Sequence, residues 1–133
     1  PLGCAAARAV LRVMREQNIL ARAGETAAWL TAEMQGAFGP HPNVGEIRHI
    51  GLIHAIELVA DKETKTPLPR RRTGYEIYKR ALRRGLLLRP LGDVLYFNPA
   101  LNITREELRI AIDRAKAALE EVLPSAERRE LCA

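Results

Sequence analysis

The spacing of apolar residues in the first third of the chain predicts two helices. From Leu2 to about Asn18 apolar side chains recur at helical spacing, with arginines on the other faces, which is typical of an amphipathic helix. No Ser, Thr, Asp or Asn precedes this helix to cap it, so we expect more chain before Pro1. A second helix is predicted after a weak break around Gly24, and it ends at Gly39.

The helical spacing is lost between Val44 and Asp61, where the sequence predicts two short strands. These strands are residues 47–50 and 53–59. The second strand is apolar on both faces, so we place it in the centre of a sheet. The polar stretch 61–72 contains two prolines and predicts an exposed connection.

The next predicted element is a third helix. Thr73 and Glu76 fit a capping box at its start, and Gly85 supplies the left-handed residue that ends it. Its buried stripe is expected to contain Tyr75, Tyr78, Ala81 and Leu82.

The last part of the chain predicts a hairpin and a fourth helix. Residues 86–89 and 94–97 predict two strands joined by a turn that contains Gly92. A second capping box runs from Thr104 to Glu107 and opens the last helix, which is expected to end near Pro124.

This order of elements predicts a single α+β domain over residues 1–133. We expect the helices to pack on one face of a small, largely antiparallel sheet. The side chains expected to share one core are Leu87, Tyr75, Ile56, Leu58, Leu108 and Ile112.

Composition excludes several classes of protein. The chain has 133 residues, of which 47% are hydrophobic and 28% charged, which fits one globular domain and excludes a disordered or fibrous chain. No apolar run approaches the roughly 20 residues that span a bilayer, and the N-terminus lacks the features of a secretory signal. We therefore expect a cytoplasmic protein with no membrane partner.

The chain is basic, with a net charge of +5 that comes from 17 arginines and four lysines against 16 acids. Such a surplus could bind nucleic acid. The arginines are spread over the whole chain, however, and the run 70–72 lacks the interleaved aromatic residues of an RNA-binding surface. A solvated surface is therefore the preferred interpretation, and no nucleic-acid partner is predicted.

Few residues could carry chemistry. The three histidines, His41, His49 and His54, lie in no metal-binding or catalytic motif, and each is interpreted as a structural or surface residue. Cys4 and Cys132 also lack metal-ligand spacing. Neither a metal site nor a disulfide framework is predicted.

Two charged residues are candidates for a site. Glu57 lies in the predicted central strand, either as a buried carboxylate or as an outward-facing residue at a strand edge. Arg89 ends an apolar strand and is followed by Pro90, so its planar guanidinium could bind a carboxylate. An edge arginine paired with a neighbouring acid explains the same pattern.

A family resemblance rests on four stretches of sequence. The string from Gly85 to Pro99, GLLLRPLGDVLYFNP, resembles the C-terminal domain of class III pyridoxal-phosphate aminotransferases. Residues 1–7 are similar to the "NPLACAAA" start of a helix in that family, residues 51–59 to its "GL-x-x-x-IEL" strand, and residues 104–108 to its last helix. The resemblance covers the chain from Pro1 to about Leu123.

The resemblance implies the C-terminal small domain of a fold-type I pyridoxal-phosphate enzyme. By position, Arg89 matches the arginine that binds the substrate carboxylate, and Tyr96 lies in the strand that lines the same pocket. The cofactor lysine would belong to a large domain upstream of Pro1, so no catalytic or cofactor-binding residue is assigned here. The full-length enzyme would hold pyridoxal phosphate and form a homodimer, whereas this chain alone would bind no cofactor and be inactive.

The substrates are less clearly indicated. Within the family, residues 88–97 and 73–78 are most similar to the aminotransferases of biotin synthesis, which transfer an amino group from S-adenosylmethionine to 7-keto-8-aminopelargonate. Residues 98–101 depart from the pair of prolines common in those enzymes. Two alternatives therefore stay open: another class III omega-amino-acid aminotransferase, and a free-standing basic α+β module that binds nucleic acid or a protein.

Overall fold

The computed structural model describes residues 1–69 and 72–124. In this part of the chain four helices and four strands follow one another in the predicted order. The elements are α1 (Leu2–Glu16), α2 (Ile19–Phe38), β1 (Val44–Ile50), β2 (Ile53–Leu58), α3 (Thr73–Arg83), β3 (Arg89–Leu91), β4 (Val94–Phe97) and α4 (Arg105–Val122). The predicted α+β architecture is confirmed. Arg70, Arg71 and Cys132 lie outside the described residues.

The strands form one antiparallel sheet in the order β1-β2-β4-β3. The predicted central strand, β2, pairs on both sides. Alternate side chains of each strand point to opposite faces, so Ile56 and its cross-strand partner Leu95 turn towards the helices. We call the other side the open face and define it by Arg48, Tyr96 and Arg89, which share it by register.

The core lies between the helix-covered face of the sheet and α2, α3 and α4. Four of the six predicted core residues are buried in it, namely Ile56, Leu58, Leu108 and Ile112. The other two were wrong, because Leu87 is 76% exposed and Tyr75 is 45% exposed. The strand begins three residues later than predicted, at Arg89, and its neighbour Leu88 fills the core instead.

The face of α3 also differs from the prediction. Of the predicted stripe, Ala81 is buried and Tyr78 half-buried, whereas Tyr75 and Leu82 are exposed. The buried positions of this helix include Thr73, Ile77 and Ala81, which are spaced four apart. Tyr75 lies on the outer side and stacks on Tyr78, with ring centroids 5.7 Å apart. The local spacing of apolar residues allowed either of two faces of α3 to be buried. Contact with the sheet and α4 determines which face is buried.

The first two helices meet at Asn18 and not at Gly24. Asn18 has a left-handed backbone with φ of 49°, and this breaks the helix between Glu16 and Ile19. Gly24 lies inside α2. No residue of α1 is buried, so its apolar stripe is exposed, as at Val10, which is 58% exposed.

The capping box predicted for α4 is confirmed. Thr104 Oγ1 accepts a hydrogen bond from the Glu107 amide at 3.2 Å, and Glu107 accepts one from the Thr104 amide at 2.9 Å. The Glu107 carboxylate accepts from the backbone amide of Thr104 and also from its hydroxyl at 2.9 Å, and these two bonds lower the pKa of the carboxyl because they favour its charged form. Ile103 packs against the core just before this cap.

The capping box predicted for α3 was wrong. The helix is preceded by Arg72 in a left-handed conformation, and Thr73 is its first helical residue rather than its cap. Glu76 pairs instead with Lys79 at 2.7 Å. None of the helices in the described ranges is long and apolar enough to cross a membrane.

Candidate functional site

One row of side chains crosses the open face from edge to edge. In register, Arg48 of β1 lies opposite Ala55 of β2, Ala55 lies opposite Tyr96 of β4, and Tyr96 lies opposite Arg89 of β3. Directly opposed residues of antiparallel strands share a face, with their Cβ atoms about 5 Å apart. The two arginines therefore lie at opposite ends of one row, with a small residue and a tyrosine between them.

The guanidinium of Arg48 is neutralised by two carboxylates. It donates to Glu46 at 2.9 Å and to Glu57 at 3.0 Å. The hydrogen bonds that Arg48 donates to Glu46 and Glu57 raise its pKa above the ordinary value, because they favour the charged form of the guanidinium. Of the two interpretations of Glu57 given by the sequence, the outward-facing one is therefore correct, and the carboxylate is not buried.

Arg89 is exposed and lies on the edge strand β3. Within residues 1–69 and 72–124, no carboxylate lies within ion-pair distance of its guanidinium. The interpretation of Arg89 as an edge arginine paired with a neighbouring acid therefore finds no support among the described residues. Tyr96, opposite it, is half-buried. A planar guanidinium in this setting can accept a carboxylate through two parallel hydrogen bonds.

The β3–β4 hairpin that carries Arg89 and Tyr96 is held by core packing at its start and by a hydrogen bond at its turn. Leu88, immediately before Arg89, is 3% exposed and belongs to the core. The turn after β3 consists of Gly92, with φ of 62°, and Asp93. Asp93 Oδ1 accepts a hydrogen bond from the backbone amide of Gly74 in α3 at 3.2 Å.

The link between Asp93 and Gly74 was missed by sequence reasoning. The Gly-Asp pair indicated only a turn, and no signal in the sequence connects that turn with a helix 19 residues earlier. The link replaces the capping box that the local sequence predicted for α3.

The two buried histidines have structural contacts. His41 Nδ1 accepts from the Asn43 amide at 3.1 Å, and Nε2 lies 3.0 Å from the Leu123 carbonyl oxygen. His54 Nε2 lies 3.2 Å from Thr31 Oγ1. Burial lowers the pKa of both histidines, although Glu120, 3.5 Å from His41, acts in the opposite direction there. His49 is exposed and stacks on His54.

The four lysines do not form a site for pyridoxal phosphate. Lys62 donates to the Gly39 carbonyl, Lys65 lies 3.8 Å from Glu46, and Lys79 is paired with Glu76. Lys116 is exposed on α4. A lysine that condenses with an aldehyde usually lies in an enclosed cleft, whereas these four lysines lie exposed or half-buried at the surface. The described part of the chain likewise contains no group of three or more His, Cys, Asp or Glu that could hold a metal ion.

Many of the arginines are occupied within the domain. Arg80 and Arg84 both bind the Glu121 carboxylate of α4 at 2.7 Å. Arg105 and Arg109 lie over the Trp29 ring, 5.5 and 5.2 Å from its centroid. These contacts connect the helices to one another, and they account for part of the basic surplus without a nucleic acid.

The fold of a small antiparallel sheet with helices packed on one side is found in transaminases of known structure. The fold superposes on a transaminase from a study of directed evolution by ancestral reconstruction with a TM-score of 0.87 and 38% sequence identity. That match covers 92% of this chain and 27% of the transaminase.

The class III aminotransferase family model matches residues 1–119, and the chain belongs to this family. It is 40% identical over 119 residues to adenosylmethionine-8-amino-7-oxononanoate aminotransferase of Nitratidesulfovibrio vulgaris, which covers 89% of this chain and 22% of the relative. It is 36% identical over 124 residues to diaminobutyrate--2-oxoglutarate transaminase of Halomonas elongata, which covers 91% of this chain and 26% of the relative. The chain thus spans about a quarter of the length of the relatives it matches. The family depends on pyridoxal phosphate.

Proposed function

We propose that this chain is the small domain of a longer aminotransferase, in which Arg89 binds the carboxylate of the amino acceptor. One observation carries the proposal: Arg89 is an exposed guanidinium with no acid partner in the described residues, opposite Tyr96, while Arg48 in the same row is bound to two glutamates. Charge-assisted, bidentate binding of a carboxylate is the contact for which arginine is best suited. Tyr96 would line the pocket beside it.

The exposed apolar surface supports a large domain in the same polypeptide. One broad side of α1 carries exposed apolar residues, among them Leu2, Val10 and Leu11. The open face adds Ile50, which is 77% exposed, and Leu91. Large exposed apolar surfaces are often covered by another protein surface. We assign α1 and the open face to contact with that large domain, and include a cytoplasmic homodimer of the whole polypeptide in the proposal.

Pyridoxal phosphate would be held by the large domain, because the lysines described here do not fit it. When bound, the cofactor acts as the electron sink for amino transfer. The residues of this chain have a different task. Arg89 binds and orients the acceptor acid. The sheet holds this arginine at a fixed distance from the groups of the large domain that lie over the open face.

For the substrates we propose S-adenosylmethionine as amino donor and 7-keto-8-aminopelargonate as acceptor, as in biotin synthesis. The name of the relative from Nitratidesulfovibrio vulgaris supports this choice. The relative from Halomonas elongata supports the alternative of an omega-amino-acid aminotransferase that uses 2-oxoglutarate. Both acceptors carry a carboxylate, so Arg89 would serve either reaction.

The test is an assay of the full-length polypeptide, loaded with pyridoxal phosphate. Each donor and acceptor pair is supplied separately, and the aminated product is measured. We expect 7,8-diaminopelargonate from the first pair and little conversion of 2-oxoglutarate with diaminobutyrate. The reverse pattern would replace the biotin assignment by the alternative, and no transamination of either acceptor would reject the proposed function.

A further inference from the structure

The turn of the β3–β4 hairpin is bound to α3 through Asp93. Its carboxylate accepts a hydrogen bond from the amide of Gly74, the second residue of α3, at 3.2 Å. The first amides of a helix have no partner within the helix, and a carboxylate there also complements the helix dipole. The backbone carbonyl of Asp93 accepts from the Leu58 amide at 2.8 Å. One turn residue therefore joins the hairpin to α3 and to the end of β2.

Gly74 allows the hairpin to approach α3 this closely. A Cβ atom at this position would overlap the carbonyl oxygen of Gly92 and would lie 3.4 Å from Pro90 Cβ. Both contacts are with the hairpin, and the overlapping atom belongs to the backbone, which cannot rotate away as a side chain can. Any residue other than glycine must therefore displace the hairpin from α3.

A displacement at this contact would be transmitted directly to Arg89. Pro90 follows Arg89 in β3, which is only three residues long and has a single neighbouring strand. The other restraints on β3 are its pairing with β4 and the buried side chain of Leu88. The contact with α3 thus acts on the residue next to the guanidinium.

We propose that Gly74 and Asp93 are positioning residues that set where Arg89 meets the substrate carboxylate. This inference rests on the proposed function, since it concerns the same arginine. A two-point hydrogen bond requires accurate placement, because a displaced guanidinium cannot keep both N–H···O contacts with one carboxylate.

The experiment compares Gly74→Ala with Gly36→Ala in the full-length polypeptide. Gly36 lies exposed in α2, where an added Cβ meets nothing within 4 Å, so it is a matched control. Gly74→Ala should raise KM for the keto acid on the order of 10- to 100-fold, the range expected when a hydrogen bond to a charged group is lost. The kcat should change little, because this contact is made in the bound substrate and the transition state alike. The methyl ester of the same acid has no charge for Arg89 to bind, and its kcat/KM should change far less. Gly36→Ala should match wild type with both.

A second pair of variants tests the hydrogen bond itself. Asp93→Asn keeps a side-chain oxygen for the Gly74 amide and should stay close to wild type, whereas Asp93→Ala should raise KM for the acid. Both Ala variants are also made in an Arg89→Ala background. If they act through Arg89, they should have almost no further effect on KM there.

The results separate the two proposals. A wild-type enzyme that aminates neither acceptor rejects the proposed function, and this inference with it. A wild-type enzyme that prefers 2-oxoglutarate leaves the inference in place, and the comparison of acid with ester is made on that acceptor. Equal losses on acid and ester, or an undiminished effect without Arg89, would show a purely structural contact and overturn the inference. If Gly74→Ala does not fold, the comparison of Asp93→Asn with Asp93→Ala decides.

Discussion

Arg89 of β3 and Tyr96 of β4 are direct cross-strand partners on the open face of the sheet. The pairing gives the exposed guanidinium an aromatic neighbour and no competing acid within the described residues. Arg48, at the other end of the same row, is bound by Glu46 and Glu57. Of these two arginines, only Arg89 is available to an anionic ligand without breaking an ion pair.

Replacing Arg89 should weaken use of the keto acid by the full-length enzyme. Arg89→Lys should raise KM for the acid, because an ammonium group cannot make two parallel hydrogen bonds with one carboxylate. Arg89→Ala should lose about 1.5 to 3 kcal/mol in kcat/KM, the usual value of a hydrogen bond to a charged group. The measurement is single-turnover kinetics of each half-reaction.

The control for this experiment is Arg22→Ala, since Arg22 is exposed on α2, away from the open face. It should behave as wild type. The half-reaction with the amino donor should suffer less than that with the acid if the donor carboxylate is bound elsewhere. Wild-type kcat/KM for the keto acid in both Arg89 variants would mean that Arg89 has no role in binding.

The core assignment predicts a large difference between two leucines. Leu108 is 1% exposed on α4, so Leu108→Ala should reduce the free energy of unfolding by about 2 to 5 kcal/mol. Leu87 is exposed, and Leu87→Ala should change it by about 0.5 kcal/mol or less. Urea unfolding followed by circular dichroism measures both. A Leu108→Ala midpoint equal to that of wild type would contradict the assigned face of α4.

The buried histidines predict that the domain loses stability as the solution is acidified. The pKa values of His41 and His54 lie below the ordinary value of 6.5 in the folded chain, mainly because of burial. Below pH 6.5 the unfolded chain therefore binds more protons than the folded one. The contribution of the two neutral histidines to the free energy of unfolding is therefore complete above pH 6.5. It is lost as the pH falls from 6.5 through the lowered pKa values of the folded chain.

This pH dependence can be assigned to one residue by substitution. Urea midpoints are measured between about pH 7.5 and 5, above the range in which most carboxylates titrate. His54→Gln should make the slope of stability against pH shallower, while His49→Gln, at an exposed position, should retain most of it. Equal slopes for wild type and His54→Gln would remove His54 as a cause.

The isolated chain of 133 residues should not bind pyridoxal phosphate covalently. Its lysines are exposed or engaged in surface contacts, so none should react preferentially with the aldehyde. The test is borohydride reduction followed by mass spectrometry of tryptic peptides. A stoichiometric adduct at one lysine of this chain would contradict the expectation, and the full-length polypeptide should give its adduct outside these residues.

The sequence by itself determined the order of the elements, the cap of α4 and the strand that carries Tyr96. These features depend on local signals. The capping box from Thr104 to Glu107 involves residues three apart, and helical or strand periodicity is visible within a single element. Arg89 was also singled out as a candidate carboxylate-binding residue from its own sequence context and from the family resemblance, and this role stays a proposal.

The tertiary structure alone decided which faces are buried and what fixes Arg89. Asp93, 19 residues away, caps α3 in place of the local residues, and packing selects Ile77 over Tyr75 for the core. The contrast between Arg48 and Arg89 depends on cross-strand neighbours. Such contacts join residues that are distant in sequence, and their free energies exceed the small local preferences that a sequence pattern reports.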